Sequence, residues 1–169
     1  MIAARPLGPA DVAIWRALRA EGVRLFPDAF LPSRAEVASV PEEQDVRQLA
    51  QGGRFAVFAD QDPVGIAALR PEMFERARHR ASVGPFYVAP CAQGTGAADA
   101  LMTALVDHAR GLGIWQLELG VAERNQRAIA FYERHGFRRE GRWPNAIITD
   151  DGPQHDWFYL CELPRPARN

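Results

Sequence analysis

The stretch from Phe86 to Ala98, Phe-Tyr-Val-Ala-Pro-Cys-Ala-Gln-Gly-Thr-Gly-Ala-Ala, constrains this chain more than any other. An aromatic and β-branched strand breaks at Pro90, and a loop of small residues then opens an amphipathic helix. Small side chains let the backbone N–H groups of Gly94, Thr95, Gly96, Ala97 and Ala98 approach a phosphate closely. The helix that follows aims its positive dipole end and its unpaired first-turn donors at the same anion. The segment therefore reads as a pyrophosphate loop that works through backbone and needs no lysine, in a chain whose 20 basic residues are all arginine.

Two familiar phosphate loops do not fit. A P-loop needs Gly-Lys-Ser/Thr, and the dinucleotide fingerprint needs Gly-x-Gly-x-x-Gly/Ala, whereas Gly94 and Gly96 are followed by Asp99 at the last position. What fits is Q/R-x-x-G-x-G/A at Gln93, Gly96 and Ala98, preceded by Val88-x-Pro90, which resembles the acetyl-CoA loop of the GNAT N-acetyltransferase superfamily. A second segment, Asn125-Gln-Arg-Ala-Ile-Ala-Phe-Tyr-Glu-Arg-His-Gly-Phe137, is similar to that family's N-x-x-A-x-x-x-Y-E-x-x-G-F motif and stands at the usual distance after the loop. The resemblance spans residues 54 to 163 well, and the first fifty residues only in general layout.

Length and composition agree with one ordinary domain, residues 1 to 163, followed by a short tail at 164 to 169. A chain of 169 residues buries about 70% of its unfolded surface in a single core. A net charge of −1 supplies no general field for nucleic acid or anionic lipid, so the function is expected from a local site. The N-terminus reads as no leader, and no apolar stretch reaches about 18 residues. The expectation is a cytoplasmic protein without membrane or nucleic-acid partners. Two cysteines, Cys91 and Cys161, lack metal-ligand spacing, so no metal site is expected and both are read as reduced, Cys161 packed in a terminal strand.

Patterning gives a strand at 2 to 6 and a helix from Pro9, with Val12, Trp15, Leu18 and Leu25 as its apolar stripe. A further helical stretch is capped by Ser33, interrupted at Pro41 and ended by Gly52-Gly53. A hairpin follows from Arg54 to Leu69, then a strand over 81 to 88, a helix from Ala97 to Gly111 or Gly113, a strand over 115 to 121, a helix over 126 to 135, and strands near 137 to 143 and 156 to 163. The fold expected is α/β or α+β, a GNAT-like mixed, mostly antiparallel sheet of six or seven strands flanked by about four helices.

Acetyl transfer to an amine needs a held CoA, a polarised carbonyl, a neutral amine and a proton for the departing thiolate. The resemblance implies that Phe86, Tyr87 and Val88 hold pantetheine and the thioester oxygen through backbone groups, alongside Gln93 to Ala98 at the pyrophosphate. Asn125 matches the asparagine that contacts the cofactor arm, though it is also a good helix N-cap. Tyr132, seven residues on and on the same helix face, matches the tyrosine that protonates the thiolate; a phenol is protonated at neutral pH and fit for that task.

The base is open. The resemblance implies a carboxylate on the strand from Trp115 to Val121, but Gly120, one position where it would be sought, has no side chain; Glu118 shares its strand face, and Asp156 and His155 are comparable candidates. Arg127 and Arg134 fit a 3′-phosphate or a solvated face, the latter favoured, and Cys91 is disfavoured as a nucleophile. Phe26, Phe30, Trp143 and Trp157 are candidate walls of an acceptor pocket, with Glu21, Asp28 or Asp156 to attract a cation. The resulting expectation is an acetyl-CoA-dependent N-acetyltransferase acting directly on a primary amine of a small molecule or peptide, with a homodimer left open. Its rivals are a protein N-terminal acetyltransferase, a longer-chain acyl-CoA transferase, a non-catalytic acetyl-CoA sensor and, last, a nucleotide-binding module.

Overall fold

A computed structural model describes residues 1 to 165. Of the expected tail, 166 to 169 lie outside the described residues, and Pro164 and Arg165 have no regular structure. In chain order the elements are β1 (Ile2–Pro6), α1 (Val12–Leu25), α2 (Arg34–Ser39), α3 (Glu42–Ala50), β2 (Arg54–Ala59), β3 (Asp62–Pro71), β4 (Arg80–Val88), α4 (Ala97–Gly111), β5 (Gln116–Ala122), α5 (Gln126–Arg134), β6 (Arg138–Thr149) and β7 (Gly152–Glu162). Seven strands take the order β1-β2-β3-β4-β5-β7-β6, with β4 and β5 parallel. The chain forms two compact units, Met1–Arg70 with Gly84–His108, and Pro71–Val83 with the chain from Ala109 onward.

In the first unit, Trp15 and Leu18 of α1 pack with Leu49 of α3 and with Ala56, Ile66 and Ala68 of the β2–β3 hairpin. Leu25, expected on the same stripe, is exposed, because α1 ends there and the chain turns away at Phe26. Ser33 caps α2 as its sequence predicts: its hydroxyl accepts from the Glu36 N–H while Glu36 accepts from the Ser33 N–H, a capping box. Pro41 then separates α2 from α3, so the interrupted helical stretch counts as two. Gly65 is required on β3, since a Cβ there would lie 2.6 Å from the Tyr87 carbonyl oxygen.

In the second unit, β5 alternates buried Leu117, Leu119 and Val121 with Glu118 and Gly120 on the other face. The β6–β7 hairpin is longer than the sequence patterning predicts. Its register jumps between Trp143 and Ile147, leaving Pro144, Asn145 and Ala146 opposite His155 alone. Proline has no N–H for a ladder bond, and a bulge on this edge strand is where it is tolerated; Asn145 takes the positive φ of 55° that the bend needs. The bulge hides β6 from periodicity, because it breaks the two-residue alternation halfway along.

Candidate active site

The loop of the first unit is built as its sequence implies. Pro90–Ala92 form one 3-10 turn, and Gly94 and Gly96 both take positive φ, 82° and 89°, which side chains resist. Gln93 does not face outward: its Nε2 donates to the Val88 carbonyl at 3.1 Å and ties the loop back to the end of β4. Thr95 likewise turns inward, its hydroxyl donating to the Ala92 carbonyl at 2.7 Å. The first backbone bond of α4 is Ala100 N–H to Gly96 O. Among the described residues, the N–H groups of Gly94, Gly96, Ala97 and Ala98 accordingly have no protein acceptor, while Thr95 N–H makes a long bond of 3.4 Å to Ala92 O. Four unpaired donors in the turn leading into a helix start suit an anion, and Gly94 and Gly96 leave open space where a Cβ would stand.

The strand before the loop leads to a second feature. Tyr87 is buried, and its hydroxyl donates to Glu21 of α1 at 2.6 Å. Burial, with Glu21 beside it, raises the Tyr87 phenol above its ordinary range, so it stays protonated. Its ring lies against Gly22, where a Cβ would come within 3.0 Å of it, and the Phe26 ring stands 6.2 Å away. A pocket of about 780 Å³ opens along α1 and α2, lined by Glu21 but also by Arg24 and Arg34. In the same wall Asp45 is 2% exposed, bonded to Arg16 and within 3.5 Å of Arg19, a structural ion pair.

In the second unit, Asn125 is the N-cap of α5: its Oδ1 accepts from the Ala128 N–H at 3.1 Å, which leaves its NH2 outside the cap. Tyr132 is half-buried between Phe131 and Phe137, with ring centroids at 5.3 and 5.5 Å. Burial raises its phenol as well, keeping the proton in place until a strong base arrives. Gly136, at φ 84°, ends α5 and turns Phe137 back onto Tyr132. The Arg134 guanidinium lies over Phe131 at 5.5 Å.

The candidate bases separate by environment. Glu118 accepts from Arg80 at 3.1 Å and from Gln116 at 2.6 Å, both at Oε1. His155 uses Nδ1 to accept from the Asn145 N–H at 2.9 Å and braces the bulge. Asp156 lies in register with Trp143 on one side and Ala122 on the other, so its side chain shares the Gly120 face. Burial raises its pKa, opposed by a hydrogen bond from Gln154, and Glu123 adds to the rise. Trp143 covers Gly120, where a Cβ would lie 3.0 Å from the ring.

Of the aromatics expected at an acceptor pocket, Trp143 and Trp157 fall on opposite faces of the β6–β7 hairpin. Trp157 alternates with Asp156 and is stacked instead under Arg139 and Arg142, at 4.4 and 5.8 Å. Patterning also misses Gln154, 5% exposed, whose only sequence signal is its place two residues before Asp156 on one strand face. Cys161 is buried in β7 and Cys91 exposed, both as free thiols. Among the described residues, no group of three His, Cys, Asp or Glu stands ready for a metal, and no helix is long and apolar enough to cross a membrane.

A family model described as Acetyltransferase (GNAT) family matches residues 15–137. The chain belongs to the GNAT acetyltransferase family. No curated protein matches it in sequence. Its fold is similar to a GNAT-family acetyltransferase of Streptococcus pneumoniae (TM-score 0.85, 18% identity, covering 97% of this chain and 100% of that one). It is similar also to yncA of Salmonella typhimurium, solved with its cofactor acetyl-CoA (TM-score 0.84, 19% identity, 100% and 98% covered). A third likeness is to the ribosomal-protein-alanine N-acetyltransferase of Brucella melitensis (TM-score 0.81, 22% identity, 95% and 99% covered). The seven-stranded, mostly antiparallel sheet with five α-helices is this family's architecture.

Proposed function

We propose that this GNAT member transfers the acetyl group of acetyl-CoA to a primary amine of a small molecule or peptide, directly and without an acyl-enzyme. The observation that carries the reading is the set of four unpaired N–H groups at Gly94, Gly96, Ala97 and Ala98. They offer a pyrophosphate its hydrogen bonds without any cationic side chain. Gln93 and Thr95 act on the loop's shape, and the backbone of Phe86, Tyr87 and Val88 takes the pantetheine arm and the thioester oxygen. Asn125 contacts that arm through the NH2 its cap leaves over, and Tyr132 gives its proton to the departing thiolate. Sequence reasoning nominates Glu118 as the base, although its carboxylate is already engaged by Arg80 and Gln116.

The fold likeness to a ribosomal-protein-alanine N-acetyltransferase favours one second reading, acetylation of a protein N-terminus. The proposal carries a cytoplasmic site of action with it, and no nucleic-acid, membrane or metal partner. The test is a screen with acetyl-CoA against amino acids, alkyl and arylalkyl amines, aminoglycosides and peptides with free N-termini, reading free thiol. Thiol release with small amines supports the proposal, and release confined to peptides transfers it to the second reading. CoA binding without thiol release from any amine makes the chain a sensor.

A further inference from the structure

We propose that Asp156 is the carboxylate that receives the acceptor's ammonium and takes its proton, and that Gln154 and Arg124 are positioning residues that hold it. The inference rests on the amine-acetylation reading above and names the residue that reading leaves open. Gln154 Nε2 donates to Asp156 Oδ1 at 3.1 Å, and Gln154 Oε1 accepts from Arg124 at 3.3 Å. The guanidinium can only donate, so it fixes which end of the buried amide faces Asp156: the NH2 end. Asp156 therefore has one oxygen held and the other, Oδ2, directed to Gly120, 3.5 Å from where a Cβ there would stand.

Trp143 closes over the same glycine and packs on Phe158 at 5.3 Å, while half its own surface stays exposed. A carboxylate oxygen beside an accessible indole face is what a primary ammonium prefers, charge on one side and the π face on the other. The missing side chain at Gly120 is what admits the indole ring. Proton accounting closes without another reagent. The ammonium sheds two protons in becoming an amide: the first passes to Asp156 and then to solvent. The second leaves the nitrogen as the carbon–sulfur bond breaks, and it replaces the one Tyr132 gives to the thiolate.

The charged groups around Asp156 set the pH dependence. Glu123 raises its pKa, yet Glu123 is paired with Arg142 at 2.8 Å, which mutes it. Glu118 on the same face is paired with Arg80, Arg124 acts through Gln154, and His155 faces Asn145. Burial dominates and moves the carboxyl upward, so the base loses its charge, and activity, at a higher pH than an ordinary carboxylate would.

The test is kcat and KM against pH for wild type, Asp156→Asn, Gln154→Met and Glu118→Gln, with CoA affinity of each measured by calorimetry. Asp156→Asn should lower kcat on the order of 10²-fold and abolish the acid limb, with CoA affinity kept. Gln154→Met should move the acid limb upward, because it removes a bond that favours the ionised form, and a side chain acting only in packing would leave that limb where it was. If Gln154→Met fails to fold, Arg124→Met tests the same relay from its outer end. An Asp156→Asn enzyme with wild-type kcat and profile overturns the proposal, as does transfer of the whole effect to Glu118→Gln. Wild-type protein that binds CoA but releases thiol with no amine overturns the parent reaction, and the role of Asp156 falls with it.

Discussion

The loop from Pro90 to Ala98 and the strand face around Gly120 do their proposed work by opposite means. In the loop the working atoms are backbone N–H groups, and the side chains that could have reached outward, Gln93 and Thr95, are turned in to brace the turn. On the β5–β7–β6 face the backbone is consumed by the ladder, and the working atoms belong to Asp156, Gln154 and Trp143. A backbone site is robust to most side-chain changes and intolerant of added bulk. A side-chain site is intolerant of single-atom changes, and it depends on register, since a one-residue slip moves every group to the other face.

The sharpest test of that contrast after Asp156 itself is Tyr132→Phe, a one-atom deletion. It should lower kcat on the order of 10²-fold and leave CoA affinity nearly unchanged, because a general acid works only in the transition state. The raised phenol pKa adds a pH signature: Tyr132 keeps its proton throughout an assay between neutral and mildly alkaline pH, so its ionisation puts no alkaline limb on wild-type kcat. A kcat near wild type in the variant would hand the proton to water. Next is Gly96→Asp, which adds a Cβ at φ 89° and a negative charge among the donors. CoA affinity should fall at least about tenfold, near 1.4 kcal/mol, by calorimetry. Thr95→Ala at the same loop should change it far less, and equal losses would erase the distinction between backbone and side-chain sites.

That distinction also explains what is legible in the sequence. A loop that works through backbone leaves a compositional mark, small residues at fixed spacing before an amphipathic helix, and Gly94, Gly96 and Ala97 can be read directly. The helix from Asn125 to Gly136 is equally legible, because cap, periodicity and stop all lie within one segment. Of the Asp156 site only separate members are legible, Asp156, Trp143 and Gly120; their meeting is not, for they come from β5, β6 and β7 and come together only through register. The bulge at Pro144 to Ala146 decides whether Trp143 or a neighbour covers Gly120, and it breaks the alternation that would have revealed the strand. Arg80 is likewise invisible as a partner that holds Glu118, since it stands 38 positions away.

Gly120→Ala probes the side-chain face by adding one carbon. The new Cβ would meet the Trp143 ring at 3.0 Å, and a half-exposed ring yields by swinging outward. Losing about 1 kcal/mol of indole contact with the ammonium is worth about fivefold in acceptor KM. CoA affinity should hold. A fall in CoA affinity with acceptor KM constant would detach Trp143 from the acceptor.

The smallest expected effect separates the two uses of Asn125. Its Oδ1 caps α5 at the Ala128 N–H, while its NH2 is the group assigned to the cofactor arm. Asn125→Ala removes both and should cost about 1 kcal/mol of stability, a Tm drop of about 2–4 °C for a chain of this size. Asn125→Ser keeps an oxygen able to cap but has no amide to offer, so its Tm should stay near wild type. If the amide meets the cofactor, CoA affinity falls in both variants alike, independently of Tm. If only the cap matters, affinity tracks stability, and the serine variant binds CoA as wild type does.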